Sequence, residues 1–293
     1  MRQVRHDTGI DLPQMKAFSE GERSLIDAYL GGMRVEPDAL RLSILGGILR
    51  RAYRSGDQLG LDAAVIAKSI RLAAEVQVAI QVLSAPGKER REFRLGDGPS
   101  AIAGPIPAEF NHAGNWMGAW KLSIVGRQQY LVDRLIPLAD HLYAGPELNI
   151  PEVTSQAVQL FRATVTDADP TRHPAFGWTR DYVASCTEKS AHGRAVRAFS
   201  GLELSLIEHL TRRDGGAFER TLVEYLKRHE KHWSATDQRR KDPEGFLAEG
   251  AIWLAALAWD RGLRFHIESD YLPWSWVTGE LFRTPFAAEG AQG

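Results

Sequence analysis

His229 and His232, with Glu230 and Lys231 between them, are the residues that look most like catalytic apparatus. On a helix, residues three apart share a face, so two imidazoles there could hold a zinc-like ion. The zinc-hydrolase pattern HExxH needs histidines four apart. Here the run is HEKH, one residue short. With His209 and Lys227 nearby in the pattern, ordinary amphipathic packing accounts for the cluster. A helical metal-dependent hydrolase stays as an alternative reading.

The other chemistry-bearing groups are weaker. Asp167-Ala168-Asp169 puts two carboxylates at a loop start. A calcium loop also requires glycine at its sixth position and glutamate at its twelfth, and neither follows here. Gly96-Asp97-Gly98-Pro99-Ser100 lacks the GxxxxGK[ST] spacing of a phosphate loop and reads as a turn. No GxSxG elbow exists for a serine nucleophile, and Ser200-Gly201 lies inside a helical stripe. Cys186 is the single cysteine, so neither an internal disulfide nor a cysteine zinc site is available. It reads as a small buried hydrophobe.

A third group sits near the C-terminus: Glu268, Asp270, Tyr271 and the pair Trp274/Trp276. These follow an apolar helix and a short alternating run, so a rigid scaffold would hold them. One reading is structural, with Asp270 capping, Tyr271 packing and Pro273 terminating. The other is an interface, because aromatics anchor a contact and charges set its rate and specificity. Glu268, Asp270, Tyr271, Trp274, Asp167 and Asp169 are the candidate partner-binding residues. No catalytic residue, metal or cofactor is assigned.

The element that must position this group runs from Phe246 to Trp259, apolar on nearly every side (FLAEGAIWLAALAW). A surface helix carries one apolar stripe, so this reads as a central helix covered by others. It is too short to span a bilayer, which takes about 20 apolar residues. Asp260-Arg261-Gly262 ends it, with Gly262 as the left-handed residue. Leu263, Phe265 and Ile267 alternate with Arg264 and His266, the period of a half-buried strand.

Upstream, the periodicity predicts a chain of helices. A capping box at Ser19/Glu22 opens one, and Pro37 opens the next, with Leu40, Ile44, Leu45, Ile48, Leu49 and Ala52 on one face. A third runs from about Leu61 to Leu83, completing an antiparallel pair. Arg50, Arg51 and Arg54 read as favourable charge at a helix C-terminus. Residues 84–107 form the main break, with two short strands at 92–95 and 101–103. Helices follow over 111–126 (where Gly114 and Gly118 allow close packing), 128–142, 151–165, from Trp178, 195–210 and 218–233. Ala144-Gly145-Pro146 interrupts them, and the residues from Ala287 on read as a frayed tail. The fold class is mainly α: stacked antiparallel helices around a buried helix near the C-terminus, with one small β-hairpin, as one domain over 1–293.

Composition sets limits. The chain has 44% hydrophobic and 25% charged residues and a net charge of −1, so no whole-molecule field draws nucleic acid or an anionic membrane. The N-terminus shows no apolar signal segment, which predicts cytoplasmic residence.

The run ALAWDRGLRFHIESDYLP, behind an alanine-rich helix, resembles the C-terminal signature of the immunity protein forty-nine family. Asp260, Arg261, Gly262, Glu268, Ser269, Asp270, Tyr271, Leu272 and Pro273 carry the resemblance. Members are bacterial proteins encoded beside secreted polymorphic toxins. The resemblance implies a non-enzymatic protein that binds one cognate toxin domain, expected to be a nuclease effector delivered between bacteria by a route such as type VI secretion. It implies no direct nucleic-acid or membrane contact. A general helical scaffold with several partners is the remaining alternative.

Overall fold

The computed structural model describes residues 26, 31, 39–56, 61–85, 87, 89–97, 101–103, 105–107, 110–140, 142, 152–187 and 196–283. The capping box at Ser19, the opening proline Pro37, the break at 144–146 and the tail from Ala287 lie outside them. The 3.6-residue apolar period is realised as helices nearly throughout. In chain order these are α1 (Ala39–Gly56), α2 (Ala63–Ser84), α3 (Ala113–Val125), α4 (Gln129–Leu138), α5 (Glu152–Thr166) and α6 (Pro174–Ser185). After them come α7 (Gly201–Thr211), α8 (Gly215–Trp233), the single turn α9 (Asp237–Arg240), α10 (Glu249–Asp260) and α11 (Trp274–Thr278). The expected hairpin forms from β1 (Arg91–Phe93) and β2 (Ala101–Ala103), antiparallel with Phe93 opposite Ala101.

α1 packs on α2, α2 on α3, and α3 on α10. α5 packs on α3 and α6 on α5 and α7, and the α7–α8 hairpin and α11 cover α10. Most of the buried apolar side chains, from Ile26 to Leu281, make one contiguous cluster. α10 is the central helix its composition predicts, with Ala251–Ala256 and Ala258 all buried. Gly262 follows it at φ +86°. The Leu263 N–H reaches back to the Ala258 carbonyl at 2.9 Å, which closes the turn as in a Schellman motif.

Caps explain several starts. Asp62 accepts from the Ala64 N–H at 2.7 Å and opens α2, and Asp214 accepts from the Ala217 N–H at 2.9 Å and opens α8. His173 caps α6 through Nδ1, 3.2 Å from the Ala175 nitrogen. That helix therefore begins at Pro174, where proline is pre-organised for a first turn, and not at Trp178. Gly118 lets α3 approach α2: a Cβ there would lie 2.6 Å from the Gln77 Oε1. Gly114 faces only its own His112 ring.

Three expectations need correction. On α1 the core face is Leu42, Leu45, Ile48, Leu49 and Tyr53, while Leu40 and Ile44 are 64% and 37% exposed. Two overlapping helical stripes are apolar there, and the neighbouring α2 selects one. Leu263–Ile267 is extended and alternates in burial as expected, but among the described residues only β1 and β2 pair as a sheet. Its alternation comes from ring packing, with Phe265 centred 5.0 Å from Phe218 and 5.7 Å from Trp274. Cys186 is half-buried at the end of α6, not buried.

Candidate functional site

The segment from Asp260 to Arg283 is held by arginines that reach it from distant elements. Arg127, in the turn between α3 and α4, has φ +54°. A left-handed backbone costs a non-glycine residue about 1–2 kcal/mol, so its side chain must repay the position. Its guanidinium donates to the Val125 carbonyl at 2.7 Å, the Trp276 carbonyl at 2.5 Å and the Val277 carbonyl at 2.5 Å. It also pairs with Asp260 at 3.1 Å. Burial lowers the Arg127 pKa, and Asp260 opposes that shift. Gly279, at φ +77°, passes so close that a Cβ would lie 3.1 Å from the Arg127 Nε. Arg71 of α2 donates to the Phe282 carbonyl at 3.4 Å and stands 5.2 Å over the Phe282 ring.

Most of the signature residues are explained by this fastening. Asp260 holds Arg127. Arg261 donates to the Val165 carbonyl of α5 at 3.2 Å. Ser269 accepts through its hydroxyl from the Tyr271 N–H at 3.2 Å, and the Tyr271 carbonyl accepts from the Ala248 N–H at 2.9 Å, just ahead of α10. Tyr271 is 1% exposed, and its ring centre lies 5.0 Å from that of His229. It therefore packs the loop onto α8 and presents no surface. Burial raises its phenol pKa, with Glu230 and Asp270 adding to the effect.

Glu268 and Asp270 are exposed, with Glu268 3.8 Å from His266. Trp274 is half-buried against Trp259, Phe265 and His266, at ring distances of 5.2, 5.7 and 4.6 Å. Asp167 accepts from the Thr166 hydroxyl at 2.9 Å. Asp169 accepts from the Thr171 hydroxyl and N–H and pairs with Arg172 at 3.0 Å. The Thr171 hydroxyl lowers its carboxyl pKa. The two acid groups do not come together. Asp167 follows Val165, which Arg261 ties to the C-terminal end of α10, and Asp270 precedes Tyr271, which is bonded to the N-terminal end. The 12 residues of α10 separate those ends by about 18 Å.

His229 and His232 have separate occupations. His229 is buried with Nε2 2.9 Å from the Gly245 carbonyl. His232 meets the Phe199 ring edge-on at 5.8 Å, and burial, then Arg239, lowers its pKa. Among the described residues, no three metal-capable side chains converge. Ser200 closes a π turn, Val196–Ser200, and continues into α7 in helical geometry. Of the Gly96–Ser100 run, Gly96 has the positive φ (+60°) of a turn, and residues 98–100 lie outside the described ones.

Sequence reasoning missed the polar group at the start of α10. Tyr53 donates to the Glu249 Oε1 at 2.8 Å, and Arg54 grips both Glu249 oxygens at 2.7 and 3.0 Å. Arg54 also reaches Glu244 at 3.5 Å. Burial pushes the Glu249 carboxyl up, but Arg54 and Tyr53 outweigh it and hold the pKa below the ordinary range. Beside it, Tyr225 donates to Glu203 at 3.3 Å, and burial raises the Glu203 carboxyl. Both side chains press on Gly250, where a Cβ would collide with them. The available signal was an acid in the first turn of an apolar helix, but nothing local named Arg54 as its partner.

Among the described residues no helix is long and apolar enough to cross a membrane. The family model described as Immunity protein 49 matches residues 60–276. No curated protein and no solved structure matches.

Proposed function

This chain belongs to the Immunity protein 49 family, and we propose that it binds one cognate antibacterial toxin domain and neutralises it by stoichiometric occlusion. The match over 60–276 carries this reading, since it runs from the start of α2 into α11 and takes in the greater part of the fastened C-terminal segment. The polar clusters favour contact over turnover. His229, Glu249 and Asp260 are each committed to an internal bond. The expected target is a nuclease effector met in the cytoplasm. Glu268 and Asp270 are exposed and Trp274 is half-buried, so these residues of the C-terminal group present surface to it; Tyr271 supports them from beneath. Asp167 and Asp169 belong to a separate face.

Protection against a few toxin molecules calls for nanomolar binding or tighter, about −12 kcal/mol, and an interface near about 1,600 Å². Co-expression with the toxin encoded by the neighbouring gene tests the reading. Cells carrying both should survive, and the two proteins should purify together in a fixed ratio. Cells that die as fast with this protein as without it refute the proposal.

A further inference from the structure

α8 turns Phe218, Leu222, Tyr225, Leu226 and His229 inward. The opposite side carries Arg220, Lys227, Arg228 and Lys231, all exposed, and α9 with the residue after it adds Arg239, Arg240 and Lys241. Residues 211–241 hold nine basic and five acidic side chains, a local surplus of four on a chain of net charge −1. Glu224 takes Arg228 at 2.8 Å and Asp237 takes Arg240. Lys227, Lys231 and Lys241 have no ion-pair partner among the described residues.

Helix electrostatics does not account for this ridge. A C-terminal dipole favours cations at a helix end, which covers Lys231 on α8 and Lys241 after α9 but not Arg220 or Lys227. Lys227 and Lys231 are four apart, a like-charge spacing that weakens a helix. The acidic rim of the C-terminal loop adjoins the same helix, because Tyr271 packs on His229 while Glu268 and Asp270 remain exposed beside it.

We propose that this ridge, which includes Lys227, Lys231 and Lys241, is an interaction surface for an acidic patch on the toxin domain. With Glu268 and Asp270 alongside, the surface is bipolar and admits one docking orientation. The inference rests on the immunity reading above. A protein is favoured over nucleic acid because acids are interleaved along the ridge and the chain as a whole is not cationic. Complementary charge of this kind acts mainly on association rate and specificity.

The test uses the full chain and the toxin domain encoded beside its gene, with association rates measured at low and high salt. Lys227→Glu/Lys231→Glu/Lys241→Glu should slow association about tenfold or more and flatten its salt dependence. The triple Gln variant should fall between, which separates charge from fold damage, and Lys68→Glu on exposed α2 surface should match wild type. Equal rates and salt slopes for wild type and the triple Glu variant overturn the ridge while leaving the immunity reading intact. A wild-type chain that fails to bind the toxin removes both. Duplex DNA that binds wild type but not the triple Glu variant overturns the choice of partner.

Discussion

α2 and α10 are both buried on every side over most of their length, yet they are constructed in opposite ways. From Leu72 to Ser84 every residue of α2 is buried, and these include Glu75, Gln77, Gln81 and Ser84. The buried residues of α10 are all apolar, and its charges stand at its ends: Glu249 against Arg54, Asp260 against Arg127. α10 is thus held by packed area in the middle and ion pairs at the tips. α2 depends on satisfying polar groups mid-helix. Glu75 succeeds, accepting from the Gly96 N–H at 2.5 Å and the Tyr130 hydroxyl at 2.9 Å. Gln77 does not: it is 2% exposed, and neither amide atom has a protein partner.

The comparison breaks most visibly in the middle of α10. Trp253 is fully buried, its ring 4.8 Å from Phe161. Trp253→Ala should cost about 4 kcal/mol by urea unfolding, the usual range for emptying a large aromatic site. A cost under about 1 kcal/mol would mean that packing at this point is not what holds the helix.

At the tip the expected loss is smaller. Glu249→Gln leaves Arg54, only 11% exposed, facing a neutral amide. The loss should be about 2–3 kcal/mol at pH 7, below that of a fully buried pair, because the Glu249 side chain is 31% exposed. The pH dependence fixes the cause. The folded Glu249 pKa is depressed, so its contribution is complete above the unfolded value near about 4.3 and is lost as pH falls through the folded value. Glu75 has a raised pKa, from burial opposed by the Gly96 and Tyr130 bonds. Its contribution is complete below the unfolded value and lost as pH rises through the folded one. On acidification the difference between wild type and Glu249→Gln should close, and that between wild type and Glu75→Gln should move the other way. Parallel profiles would erase the contrast between the helices.

The smallest change is expected at Gln77. Gln77→Leu removes a buried amide that has no protein partner and should be neutral within about 1 kcal/mol, or stabilising. A thermal melt showing a large loss would reveal a bond to Gln77 that the protein atoms do not supply.

What was legible in the chain follows the same division. α10 announced itself because a run without polar residues leaves no outward face, and Gly262 marked its end by local turn chemistry. The hairpin and the close approach at Gly118 were legible as well, from turn residues and from a small residue at helical spacing. α2 read as a helix of an antiparallel pair, but its burial on every side did not show, because Gln77 and Gln81 interrupt its apolar run. The face of α1 was misjudged because Leu40 and Ile44 lie on a stripe as apolar as the one that packs. Arg54 finds Glu249 across 195 positions, a pairing with no local trace. Arg127 occupies a left-handed turn position where glycine would be the recognisable signal. Of the C-terminal group, Tyr271 read both as a packing residue and as an interface residue, and its ring lies buried against His229.

Arg127 has a consequence for biosynthesis. The carbonyls it grips lie 149 and 150 residues further along. At about 5–20 residues per second, a ribosome needs on the order of ten seconds to deliver them. For that interval Arg127 has the Val125 carbonyl but not its distant acceptors, so the turn between α3 and α4 gains its full set of bonds only when translation has passed Val277.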